Sequence, residues 1–168
     1  MSAYVTLNVP MIDEASLLAA LSDLGFAGDR VEVHSEAVAL VGYGGEARAQ
    51  RAHIVVRRQH VGTSSNDIGF ERTPTGYRAH VSEYDAQSYG AGWMSRLRSR
   101  YDEHHRVALE RLAAEERRRE EERRAAERRA LVEAQRQAIH EKAKKLGYRV
   151  EEAREGEQVR LVLRKRVF

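Results

Sequence analysis

From Trp93 to Leu146 the chain runs 54 residues without a single Gly or Pro, and the middle of that stretch is almost nothing but Glu and Arg. No other feature restricts the fold so tightly. With both helix breakers absent, the stretch predicts one helix, roughly 80 Å long at about 1.5 Å per residue. That is longer than any dimension of a compact domain built from the remaining residues. Residues 115–129 hold six Glu, seven Arg and two Ala, all strong helix formers. Glu115–Arg119 and Glu120–Arg124 stand at i,i+4 with Glu first, each worth about 0.2–0.5 kcal/mol to a solvated helix. Such a segment can be helical while packing against nothing.

Apolar residues mark the two ends of the stretch. Trp93, Leu97, Tyr101, His105 or Ala108, and Leu112 follow helical spacing at its start. Leu131, Gln135, Ala138 with Ile139, Ala143 and Leu146 do so at its end. Both stripes are expected to be packed faces, and Gly147 is expected to stop the helix.

The rest of the chain reads as short, mostly β elements. Residues 3–9 alternate and predict a strand that Pro10 ends. Asp13 then caps a helix with Leu17, Leu18, Leu21 and Leu24 on one stripe and Gly25 as its stop. Two short strands are expected near Arg30–His34 and Ala37–Val41, then the turn Gly42–Gly45 and a strand over residues 50–58. After a polar loop, Asp67–Arg72, the turn Thr73–Gly76 and Tyr77–Glu83 predict a hairpin. Tyr148–Glu152, a turn at Glu155–Gly156 and Gln158–Arg166 predict a closing hairpin with Val159, Leu161 and Leu163 on one face. Leu24-Gly25-Phe26 and Leu146-Gly147-Tyr148 echo each other, either as a weak repeat of a helix-plus-hairpin unit or as ordinary helix-stop grammar.

Charge is divided unevenly. Residues 1–92 carry a net −4 and residues 93–168 a net +7, within a chain of +3 and pI ≈ 9.3. A basic half can mark nucleic acid or an anionic membrane, but here Arg alternates with Glu, which dilutes any phosphate-binding field. The chain has no Cys, which excludes disulfides and thiolate metal sites. No segment approaches 18 apolar residues, and the first residues lack a signal-peptide pattern. The expectation is a soluble cytoplasmic protein with no membrane contact.

The sequence contains no legible reaction. None of His34, His53, His60, His80, His104, His105 and His140 falls in a metal-binding motif, and adjacent His104 and His105 point about 100° apart on a helix. Gly42-Tyr43-Gly44-Gly45 resembles a phosphate loop but leads into a strand and lacks the Lys-Ser/Thr pair. Ser64-Ser65 has no nucleophile-elbow context, and Glu151 and Glu152 are strand neighbours facing opposite sides. No catalytic, cofactor-binding or metal residue is therefore assigned. Asp67-Ile68-Gly69-Phe70-Glu71-Arg72 with Tyr77 reads either as a structural hairpin, with a bend at Asp67 and Gly69, or as a partner-contact surface carried by Asp67, Phe70, Arg72 and Tyr77.

Several segments resemble the uncharacterised family of the hypothetical chloroplast open reading frame thirty-five. They are Tyr4–Leu7, Ala20–Phe26, Gly42–Gly45, Asn66–Phe70, Arg100-Tyr101, Leu146–Tyr148 and Val159–Leu163. The resemblance implies a small α+β domain with no established activity, often encoded beside an AAA-type ATPase, a short companion protein and sometimes a ferredoxin. It supplies no catalytic residues. Typical members run from the Tyr101-like residue almost directly into the Ile139–Leu146 helix, so about thirty residues here resemble an insertion.

The expected architecture is α+β. A small, mostly antiparallel sheet is packed by one short helix and the ends of the long helix, with a projecting charged arm and a closing C-terminal hairpin. The core would comprise residues 1–105 and 139–168, and the arm residues 106–138. An insertion of that length either folds back as a helical hairpin or stays straight, in which case two chains exchange hairpins across an antiparallel coiled coil. The absence of turn residues favours the straight helix and a homodimer. The expected role is a non-enzymatic adaptor of an AAA-type ATPase assembly, without cofactors. The alternative is a nucleic-acid-binding module using the basic half.

Overall fold

Strand and helix order follows the punctuation of the sequence closely. The computed structural model describes residues 3–155 and 158–165. Strand β1 (Tyr4–Val9) ends at Pro10 and helix α1 (Glu14–Asp23) follows. Asp13 caps α1 by accepting a 2.8 Å hydrogen bond from the Ser16 amide. A 3₁₀ turn (Gly28–Arg30) leads to β2 (Val31–Val41), β3 (Ala47–Val56) and short helix α2 (Arg58–Val61). Then come β4 (Ile68–Thr73), β5 (Gly76–Ser82), short helix α3 (Ala86–Tyr89), α4 (Ala91–Lys145) and the hairpin β6 (Tyr148–Glu155) and β7 (Gln158–Lys165). The fold is α+β. Gly156 of the expected closing turn lies outside the described residues.

The chain forms two compact units, residues 1–111 and 112–168, and the boundary falls within α4. That helix is continuous over 55 residues, so residues 106–138 contain no fold-back turn. Gly25 and Gly147 terminate α1 and α4 with φ of 96° and 75°, the left-handed conformation in which a Cβ would be penalised.

Unit 1 is a five-stranded sheet in the order β1-β5-β4-β3-β2, antiparallel throughout. One face packs under α1 and the N-terminal end of α4. Leu17 and Leu21 from α1, and Trp93, Leu97 and Tyr101 from α4, meet Ile54, Val56, Ile68, Phe70 and Val81. Phe26, Tyr89 and Trp93 add an aromatic trio, with Tyr89 and Trp93 edge-to-face at 5.4 Å. Leu40, Ala52 and Val55 form a smaller cluster apart from this core.

Three expectations need correction here. The two short strands over 30–41 are one strand with a bulge: Val33 pairs with Ile54 but Val38 pairs with Ala52, so the extra β2 residues leave the ladder. The polar loop after β3 contains α2. Gly69 sits inside β4 rather than at a bend, and close packing explains it. A Cβ there would lie 2.6 Å from the Ala52 Cβ and 2.7 Å from Leu40 Cδ2. Gly69→Ala is expected to overpack this cluster and cost about 1–3 kcal/mol. Trp93 is the only Trp and is buried in unit 1, so its emission in a urea titration measures the loss. An unchanged midpoint would refute the packing role.

The apolar stripes of α4 meet different fates. Trp93, Leu97 and Tyr101 are buried, and His105 stacks on the Tyr101 ring at 5.3 Å. Leu112 is exposed, as are Leu131, Gln135, Ala138, Ile139 and Leu146. The first stripe therefore ends one helical turn early, and among the described residues the second is buried only at Ala143. Between them, Arg118–Glu122, Glu115–Arg119, Arg123–Glu127 and Glu120–Arg124 form i,i+4 ion pairs on the exposed helix. Among the described residues no helix is long and apolar enough to cross a membrane.

Candidate functional site

The expected contact residues do not share a surface. Asp67 and Phe70 are fully buried and Tyr77 nearly so, so none of the three can meet a partner. Phe70 fills the core under the helices. Arg72 is the exposed member, and it pairs with Glu14, which also accepts the Tyr77 hydroxyl at 2.9 Å. Reading burial from the alternation of a short hairpin fails here because Asp67 is charged, and nothing local shows that its partners come from three other segments.

Those partners make Asp67 the hub of unit 1. Its Oδ2 accepts from the Val41 amide and from Arg57 Nη1, both at 2.9 Å, and its Oδ1 accepts from the Arg58 amide at 2.8 Å. Its own amide donates to the Val41 carbonyl, and its carbonyl accepts from the Tyr4 hydroxyl. Next to it, Asn66 Oδ1 accepts from the Tyr43 amide at 3.0 Å. The Asn66 amide donates to buried Asp85, which also receives the Ser82 hydroxyl at 2.5 Å. The pair Asn66-Asp67 thus ties the β2–β3 turn, the end of β3, β1 and the segment after β5 together. Buried charge survives because every acceptor is used.

Arg57 extends the hub toward solvent by gripping Glu32 Oε2 with Nε and Nη2 at 2.8 and 2.5 Å. That grip holds the Glu32 carboxyl below its ordinary 4.5, aided by His34. Asp13 is likewise held below its ordinary 3.8 by the hydrogen bond from Ser16. Both carboxyls bind protons less readily folded than unfolded. Their contribution is complete above about pH 5.5 and is lost as pH falls through the ordinary carboxylate range. Glu32→Gln should therefore flatten the decline of stability between about pH 6 and pH 3, by under about 1 kcal/mol because Glu32 is half solvated. Urea midpoints measured across that range check it, and an unaltered slope would contradict it.

Over this network lies a cleft of about 590 Å³ bordered by Tyr43, Glu46, Arg48, Asn66 and Tyr84. The Arg48 guanidinium stands over the Tyr4 ring at 5.6 Å. Burial, and then the charge of Asp67, push the Tyr4 hydroxyl well above its ordinary value of 10. It is a neutral hydrogen-bond donor at physiological pH, not a base. Among the described residues no group of three His, Asp or Glu could hold a metal ion. Four histidines each meet one carboxylate: His34 with Glu32, His80 with Glu71, His104 with Asp23 and His140 with Glu152.

Unit 2 offers a different kind of site. Among its described residues only Ala143 is buried. Glu152 on β6 ties the hairpin to α4 by pairing with Arg136 and with His140 Nε2 at 2.7 Å. Leu161 stands opposite Glu152 in the ladder and Leu163 opposite Val150, so one hairpin face carries these apolar residues. Between that face and α4 runs a furrow of about 690 Å³ lined by Val132, Ile139 and Leu161, with Arg128, Arg129 and Arg136 beside them. Sequence periodicity found Ile139 and Leu161 but could not show that, among the described residues, Ile139 stays exposed and Leu161 is only half-buried.

No protein-family model, curated protein or solved structure matches this chain.

Proposed function

We propose that this chain is a non-enzymatic adaptor in which unit 1 is a self-sufficient folded anchor and unit 2 binds a protein partner. The observation that carries this reading is the exposure of unit 2. Val132, Ile139, Leu146, Tyr148, Val162 and Leu163 are all exposed, and Ala143 is the one buried residue among the described residues of the unit. A two-stranded hairpin is marginal alone, and stable elements bury their apolar faces against a second layer. A partner would supply that layer.

The resemblance to the chloroplast reading-frame family supports an AAA-type ATPase and its short companion as partners, in a cytoplasmic assembly. A second copy paired through α4 is the homodimeric form of the same reading. Hydrogen exchange on the full chain tests it. The β6–β7 amides should exchange within seconds in the dilute protein and become protected when a candidate AAA-type ATPase partner is added. Strong protection in the dilute chain alone would sink the proposal, as would nucleotide hydrolysis by the purified chain.

A second reading, nucleic-acid binding, draws on Lys142, Lys144, Lys145 and Arg149, which make no ion pair among the described residues. It requires an affinity whose logarithm falls steeply with log salt. No binding at about 50 mM salt would remove it.

A further inference from the structure

We infer that the furrow of unit 2 docks an acidic amphipathic helix of a protein partner; this rests on the adaptor reading and specifies the partner's chemistry. The floor of the furrow is apolar and solvent-facing: Val132 and Ile139 are 58% and 42% exposed, and Leu161 lies across from them on β7. Val132 and Ile139 stand seven residues apart on α4, the spacing with which one helix presents a seam to another. An apolar furrow with that seam fits the hydrophobic face of a helix laid along it.

Charge selects which helix. Three arginines line the furrow, Arg128, Arg129 and Arg136, against one carboxylate, Glu133; Arg136 is shared between Glu133 and Glu152. Arg128 and Arg129 make no ion pair among the described residues. The charge left over at the furrow is positive. Unit 2 as a whole carries 17 Lys and Arg against 12 Asp and Glu, so a second copy would bring like charge to the seam. A helix with Asp or Glu flanking its apolar face would neutralise it.

The test uses the full chain and two fluorescent 18-residue probe peptides. Both carry Leu at helical i,i+3/i+4 spacing; the remaining positions are mainly Glu in one and Lys in the other. The Glu peptide should bind, more weakly as salt rises, and the Lys peptide should bind at least tenfold more weakly. The double variants Arg128→Glu/Arg129→Glu and Val132→Asp/Ile139→Asp should each weaken the Glu peptide at least tenfold. Trp93 emission should report an unchanged unit 1 in both. Equal binding of the two peptides, or no binding of the Glu peptide, overturns the acidic-helix inference. A concentration-dependent dimer abolished by Val132→Asp/Ile139→Asp overturns it in favour of a second copy and leaves the adaptor reading standing. Absence of peptide binding and of dimer, together with slow hairpin exchange in the dilute chain, overturns both.

Discussion

Asp67→Ala is expected to destabilise unit 1 by about 3–5 kcal/mol, the usual cost of removing one partner from a buried charge pair. The carboxylate is fully buried and accepts from the Val41 and Arg58 amides and from Arg57. Alanine leaves both amides without their acceptor, at about 1–3 kcal/mol for each buried donor. Arg57 keeps Glu32 and so recovers part of its pairing. Asp67→Asn retains an acceptor but not the charge, so it should lie between Ala and the parent. Urea unfolding followed by Trp93 emission isolates unit 1, because no other Trp contributes. A loss below about 1 kcal/mol for Asp67→Ala would mean that water replaces the carboxylate and that the hub is not structural.

Tyr101→Phe is the second large effect, expected at about 2–4 kcal/mol from two donors losing one acceptor. The Tyr101 hydroxyl accepts from the Ile12 and Asp13 amides, both at 3.0 Å. It therefore fixes the start of α1 to α4, immediately before the Asp13 cap. Phenylalanine keeps the ring and its stacking on His105, so the hydroxyl alone is tested. Trp93-monitored unfolding gives the magnitude, and hydrogen exchange at Ile12 and Asp13 gives the location. If those two amides remain as protected as before, the hydroxyl is not their partner.

These residues show where sequence reading succeeds and where it stops. The Asp13 cap, the Gly25 and Gly147 helix stops and the 55-residue helix were legible because each depends on neighbours within a turn or two. The shared face of Ile68 and Phe70 follows strand alternation, whereas Arg72, in the same phase, is exposed. Asp67 was misread as a surface residue because its neutralisation comes from Arg57, Arg58 and Val41, which only the sheet brings together. Gly69 was read as a bend because its neighbours Leu40 and Ala52 belong to other strands.

The sequence alone determined that this chain has an α+β fold with one long charged helix. Helix propensity, glycine stops and period-two alternation are local properties, expressed wherever the chain goes. Tertiary structure decided which apolar stripe of that helix is covered. The stripe at Trp93–Tyr101 meets a sheet and becomes core. The one at Leu131–Leu146 meets only a two-stranded hairpin and stays exposed, because two strands and one helix present too little surface to bury it.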